Sequence, residues 1–226
     1  MRLILFDIDG VLLVEEERAN QRFVAAVEQV FGLHVDISGY STSGKTDKAI
    51  LLELCERVGI SRTKAGSQLN RLYEASITYV KDHIAVEPTS VQIGVIQLLD
   101  ELSRRQDCLV GLVTGNLREC ARLRLGNLYR FFQVGGFGDT SEIRSELIDS
   151  AIREANFKTK RKFSLSDVFC FGDTPLDIKA GKEAGVTTIG VTTGNYSRED
   201  LEKASCKSVL TDFSNTQEVL GALGLT

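Results

Sequence analysis

The chain reads as an α/β protein, a doubly wound and mainly parallel sheet interrupted early by an all-helical insert. Three observations predict this. Short apolar runs at residues 3–6, 109–113, 168–171 and 187–191 are each followed by a turn containing Gly or Asp. Being apolar at consecutive positions, they suit strands covered on both faces. Helical patterns at residues 117–126, 142–155 and 176–184 supply the crossovers that parallel strands require. Between about residues 15 and 87 no strand pattern occurs at all.

Within that strandless stretch, Phe23, Val27, Val30 and Phe31 fall at i, i+4, i+7 and i+8, one face of a helix. Glu15, Glu16 and Glu17 precede them, and acidic residues suit a helix N-terminus. Ala49, Leu52 and Cys55 continue the pattern, followed by Leu69, Leu72, Ser76, Tyr79 and Val80. Pro88, one of two prolines, marks the return to the sheet. The organisation expected is an α/β core over residues 1–14 and 88–226, with a helical unit over 15–87.

The composition narrows the function classes. A chain of 226 residues, 42% hydrophobic and 26% charged, has the balance of a globular protein. A net charge of −4 points away from nucleic acid and anionic membranes as partners, since both need a basic face. No run approaches the ~18 apolar residues of a membrane span. The apolar N-terminus is broken by Asp7 and Asp9 and has no cleavage site of the secretory kind. Cys55, Cys108, Cys120, Cys170 and Cys206 are odd in number and form no C-x-x-C pair, so a reduced, cytoplasmic protein is expected. Two histidines, His34 and His83, leave little scope for a His-based triad or metal site. The sequence does not set an oligomeric state.

The chemistry lies at the strand ends, where open α/β sheets bind ligands. After the first strand stands Asp7-Ile8-Asp9-Gly10, with two carboxylates at strand spacing and a glycine that permits a tight turn. Two such acids kept charged and buried call for a cation between them. After the second comes Thr114-Gly115-Asn116, a hydroxyl and backbone amides suited to an oxyanion. After the strand at 168–171 comes Gly172-Asp173-Thr174-Pro175-Leu176-Asp177. Each motif alone is weak, but three at the ends of strands in one sheet belong together.

These motifs resemble those of the haloacid dehalogenase-like superfamily, in the branch that includes phosphoglycolate phosphatase. The resemblance spans essentially the whole chain, and the helical insert matches that branch's cap over a Rossmann-like core. It implies a Mg²⁺-dependent phosphomonoesterase acting on a small phosphorylated metabolite. By it, Asp7 is the nucleophile that becomes phosphorylated, and Asp9 the acid and then base. Mg²⁺ is held by Asp7, Asp173 and the backbone carbonyl of Asp9, with Asp177 a ligand through water or a support behind the site. Gly10, Thr114, Gly115 and Asn116 meet the phosphoryl group.

The sequence departs from the family where relatives carry a lysine at the head of a helix. Residues 141–146 read Ser-Glu-Ile-Arg-Ser-Glu, making Arg144 the stand-in, able to bridge Asp7 and a phosphate oxygen. Lys158, Lys160 and Lys162 are rivals, but lie too near the strand at 168 and suit a charged linker.

Residues 39–46, Gly-Tyr-Ser-Thr-Ser-Gly-Lys-Thr, match the P-loop pattern, which needs a buried strand before it and a helix after. The strand is missing from the sequence pattern. By resemblance to capped relatives, Lys45 reaches the far end of the substrate instead. His34 and His83 read as surface or helix-end residues, and Tyr40 and Tyr73 as packing. Ser197 before Asp200 reads as a helix cap. The alternatives to a phosphatase are a sugar phosphomutase, which keeps both first-motif acids, and a non-catalytic binding protein on the same scaffold. A dehalogenase has no need of Asp9 as acid and base, and the phosphonate hydrolases of the family lack a carboxylate there.

Overall fold

The structure, a computed structural model, describes residues 1–14, 20–84 and 89–225. The expectations for Glu15–Glu17 and Pro88 lie outside these residues. The described strands are β1 (Arg2–Phe6), β2 (Cys108–Thr114), β3 (Val134–Phe137), β4 (Val168–Gly172), β5 (Thr187–Val191) and β6 (Ser208–Leu210). They form one sheet in the order β3-β2-β1-β4-β5-β6, with every pair parallel. The chain works outward from β1 to β3, then crosses back to β4 on the other side of β1. The gap beyond the carboxyl ends of β1 and β4 is therefore the switch point where such sheets bind ligands.

The expected α/β core is present, with two strands the apolar pattern did not reveal. β3 carries Gly135 and Gly136, which weaken a strand signal, and β6 has three residues. Gly136 is needed because helix α7 (Arg144–Thr159) crosses so close that a Cβ would lie 1.8 Å from the Leu147 carbonyl oxygen.

Both faces of the sheet are covered. Leu3, Leu5, Leu109 and Val113 meet Leu147, Ile148, Ala151 and Ile152 of α7, together with Ala180 of α8 (Pro175–Glu183). On the other face Ile4, Phe6, Val110 and Leu112 meet α5 (Val95–Ser103) and α10 (Thr216–Leu223). Phe6 stacks on Phe171 at 4.7 Å between centroids, with Phe213 edge-on to both. Helix α6 (Arg118–Leu125) follows β2, and α9 (Arg198–Lys203) follows β5. Local chemistry sets two of these starts. Thr174 and Asp177 form a capping box with Pro175 in the first turn of α8, and Ser197 with Asp200 does the same for α9, as the sequence predicts.

Residues 20–84 carry four helices: α1 (Gln21–Phe31), α2 (Asp47–Arg57), α3 (Arg62–Ser67) and α4 (Leu69–Ile84). The stretch is not helical throughout, because Gly32, in the left-handed region at φ 68°, ends α1, and residues 33–46 form turns. These helices share a core of their own that includes Phe23, Val27, Leu51, Cys55 and Leu72. At its base the outgoing and returning chains pair, the Val14 amide donating to the Ser90 carbonyl at 2.9 Å and Gln92 to Leu12 at 3.0 Å. α4 packs on α6 through Val80, Leu117 and Cys120. Cys55, Cys108, Cys120 and Cys170 are buried, Cys206 is partly so, and all five are free thiols. No described helix is long and apolar enough to cross a membrane.

Candidate active site

The carboxyl ends of β1, β2 and β4 converge beneath the helical unit on one cavity of about 70 Å³. Asp7, Asp9, Thr114, Gly115, Asn116, Arg144, Asp173 and Lys45 all line it. Gly10 does not. Its part is conformational, since φ is 71° and a Cβ would lie 2.3 Å from Oδ2 of Asp173. Its carbonyl accepts from the Thr193 hydroxyl at 2.5 Å.

Asp7 directly follows β1, and its amide donates to the Phe171 carbonyl at 3.1 Å, fixing it against β4. Its Oδ1 accepts from the Ile8 amide at 2.7 Å and its Oδ2 accepts from Arg144. The same guanidinium pairs with Asp177. Arg144 is the first residue of α7 and stands beside Asp7, as the sequence predicts. Lys158 does not fit the linker reading, because α7 continues through it and its Nζ donates to the Gln133 carbonyl at 3.1 Å. Asp177 is held on both of its oxygens. One oxygen takes the Thr174 amide and hydroxyl at 3.0 and 2.8 Å, and the other faces Arg144.

Asp7, Asp173 and Asp177 offer carboxylate oxygens within 4.8 Å of one another. Burial raises the proton affinity of Asp7 and Asp173, and the neighbouring carboxylates raise it further against the opposing pull of Arg144. Three carboxylates against one guanidinium leave two negative charges in a buried, all-oxygen site. That donor set fits a hard dication.

Asp9 is held differently. Its Oδ1 pairs with Arg124 at 2.6 Å and its Oδ2 accepts from the Asn116 side chain at 2.6 Å. Burial alone would raise its pKa, but Arg124, Arg22 and Asn116 keep it below the usual carboxylate range. Arg124 Nη1 also donates to the Asn116 amide oxygen at 3.1 Å, and Asn116 Nδ2 to the Thr114 hydroxyl at 2.9 Å. The Thr114 hydroxyl is thereby oriented from within its own loop.

The sequence reading missed two buried arginines, Arg22 and Arg124, each 5% exposed. Arg22 donates to Asp47 Oδ1 at 2.8 Å, and Asp47 Oδ2 accepts from the Leu117 amide at 2.9 Å. The start of α2 also docks through its backbone, Asp47 N to Gly115 O at 2.7 Å and Lys48 N to Gly138 O at 3.2 Å.

The Lys45 carbonyl lies against Gly115, and its ammonium is paired within the helical unit. The Nζ lies 2.5 Å from Glu53 and 3.3 Å from the Tyr40 hydroxyl, over the Tyr40 ring. The described element before residues 39–46 is α1 and not a strand, so the P-loop match lacks the setting it needs. His34 is exposed beside Glu28, and His83 stacks on Tyr79 in the last turn of α4.

A family model described as haloacid dehalogenase-like hydrolase matches residues 4–191. Comparison with curated proteins gave no significant match. Among solved structures, a hydrolase from Pseudomonas syringae superposes with a TM-score of 0.71 at 17% identity, covering 98% of this chain and 99% of that one. A haloacid dehalogenase-like hydrolase from Streptococcus pneumoniae gives 0.63 at 17% identity, covering 98% of each chain. CbbY from Rhodobacter sphaeroides, solved in complex with phosphate, gives 0.68 at 18% identity over 95% of this chain and 96% of that one.

Proposed function

This chain belongs to the haloacid dehalogenase-like hydrolase family, and on that premise we propose that it hydrolyses a small phosphate monoester through a phosphorylated Asp7. The observation that carries the reading is the grouping of Asp7 with Asp173, Asp177 and Arg144 at the switch point, open to a cavity between sheet and helices. Mg²⁺ would be held by Asp7, Asp173 and the backbone carbonyl of Asp9. When bound it supplies positive charge to the phosphoryl oxygens, so that a carboxylate can approach phosphorus.

The rest falls to the chain's own groups. Asp7 forms a bond to phosphorus as the ester P–O bond breaks, and the leaving alkoxide takes a proton. Water then attacks the phosphorylated Asp7, its proton passing to Asp9, and the carboxylate is restored. The ionised Asp9 beside Arg124 suits the second step. For the first it must be protonated, and a bound phosphate, by adding negative charge nearby, raises its proton affinity. The Thr114 hydroxyl and the amides after it face the phosphoryl group, while Arg144 holds Asp7 in place. The helices at residues 20–84 act as a cap that excludes water.

The resemblance to the phosphoglycolate phosphatase branch makes phosphoglycolate the first ester to test. The five free cysteines fit a reducing, cytoplasmic setting. A sugar phosphomutase also keeps both first-motif acids, and its product is an isomer rather than free phosphate. Phosphate release from a panel including phosphoglycolate and p-nitrophenyl phosphate, with Mg²⁺ and with chelator, tests the reading. Release that needs Mg²⁺ and is lost in Asp7→Asn supports it. Isomerisation, or no turnover by protein that binds Mg²⁺, rejects it.

A further inference from the structure

We propose that Arg22 forms a second anion-binding position in the same cavity, so that the substrate is a small phosphate ester bearing another oxyanion, a carboxylate or a second phosphoryl group. The inference rests on the phosphatase reading above and adds to it a substrate class.

Arg22, in the first turn of α1, lines the cavity and is 5% exposed. Its Nη2 is satisfied by Asp47 at 2.8 Å. Its Nε and Nη1 are buried and meet no hydrogen-bond acceptor among the described residues. Buried donors are seldom left in that state, because the lost hydration is not replaced. The two Asp47 oxygens meet Nη2 and the Leu117 amide, and neither reaches Nε or Nη1.

The guanidinium also lies over the Phe23 ring at 4.5 Å, and its charge lowers the Asp9 pKa, but neither contact supplies an acceptor for Nε and Nη1. Balancing Asp47 takes one donor and one charge, which a lysine also provides. What Arg22 adds is a planar pair of N–H groups, the fork that binds carboxylate or phosphate bidentately. Asn20 also lines the cavity, and its amide oxygen accepts from the Thr42 hydroxyl at 2.8 Å. Lys45, the cation the sequence offered for this task, is committed to Glu53.

Calorimetric binding of non-hydrolysable phosphonates in the presence of Mg²⁺ tests this directly. Propylphosphonate, 3-phosphonopropionate and ethane-1,2-bisphosphonate share one head and differ in the tail, which is apolar, carboxylate or phosphonate. Wild-type protein is expected to bind one charged-tail probe about ten-fold or more tightly than propylphosphonate, as a charge-assisted pair requires. The better of the two charged tails identifies the second group. In Arg22→Gln the preference should fall to about three-fold or less, with Arg22→Lys in between. Should Arg22→Gln fail to fold with Asp47 unpaired, Arg22→Gln/Asp47→Asn removes both charges and should show the same loss. Equal binding of all three probes by wild type, or a preference that survives in the variants, overturns the second site alone. Binding of none overturns the phosphoryl site, and with it the phosphatase reading beneath this inference.

Discussion

The guanidinium of Arg144, at the head of α7, donates to Oδ2 of Asp7, 137 residues away at the end of β1. It also pairs with Asp177, so one cation restrains two buried carboxylates. Replacing it with methionine removes that restraint and adds to the repulsion among three acids. Arg144→Met should lower kcat/KM by about 10²-fold or more, the cost of losing a preorganised charged donor. Arg144→Lys restores the cation but not the fork, and should stay within about ten-fold of wild type. Steady-state kinetics on the best ester of the panel separates the two. A lysine variant as inactive as the methionine one would mean that bidentate geometry, not charge, is what the site requires.

Asp173 should make stability and metal binding depend on pH in opposite senses. Burial raises its pKa to about 9, from an ordinary 3.8, and the Asp177 and Asp7 charges add to the effect. Between those values the folded protein carries more protons than the unfolded chain, so metal-free stability is full below the window and falls as pH rises through it. A dication competes with those protons, so the Tm gain on adding Mg²⁺ should grow over the same range. Scanning calorimetry from about pH 5 to pH 8.5, with and without Mg²⁺, reads both slopes. Asp173→Asn should make the first shallower, leaving the part that the raised pKa of Asp7 contributes, and abolish the second. A gain that is the same at every pH, or that persists in Asp173→Asn, would locate the cation elsewhere.

What the sequence disclosed and what it hid have separate physical causes. Asp7, Asp9, Thr114 and Asp173 are legible because each follows a run apolar on both faces, which announces a buried strand end. Arg144 is legible by its place at a helix head. β3 hides behind Gly135 and Gly136, whose missing side chains make room for α7 but erase the strand pattern. Arg124 hides in plain view. In Arg-Glu-Cys-Ala-Arg-Leu-Arg-Leu, basic residues near a helix end read as solvated partners of the dipole, and nothing local shows that Arg124 turns inward to Asp9, 115 positions earlier, while Arg122 stays out with Glu119. Arg22 is masked in the same way. Lys45 does line the cavity, but its pairing with Glu53 and Tyr40 is not legible, because it depends on how the turn at 33–46 folds onto α2.

Arg124 governs the charge on Asp9. It is the strongest of the groups that hold the Asp9 pKa below the ordinary range against the effect of burial. In Arg124→Gln that pull is gone and the Asp9 pKa rises. If hydrolysis of the phosphorylated enzyme needs ionised Asp9, the acid limb of kcat against pH should move upward by about one unit or more. Asn116 also loses a donor to its amide oxygen, so a fall in kcat at the optimum is expected alongside. A profile that drops uniformly without shifting would show that Arg124 orients Asp9 and Asn116 rather than setting the charge.

Gly115 marks where the helical unit seats on the sheet. A Cβ there would lie 2.2 Å from the Lys45 carbonyl oxygen and 3.2 Å from Arg144 Nη1. Backbone cannot yield as a side-chain tip can, so Gly115→Ala must push residues 45–47 outward and stretch the 2.7 Å bond from the Asp47 amide to the Gly115 carbonyl. The Asp47–Leu117 and Arg22–Asp47 contacts move with it. Because the sheet core is untouched, the protein should fold with most of its stability. Its kcat/KM should nonetheless fall by about 10²-fold, the cost of misplacing catalytic geometry by ~1 Å. Kinetics together with a thermal melt checks this. Near-normal activity would show that the cap works without this contact, and that closure of the cavity depends instead on α4 packing against α6.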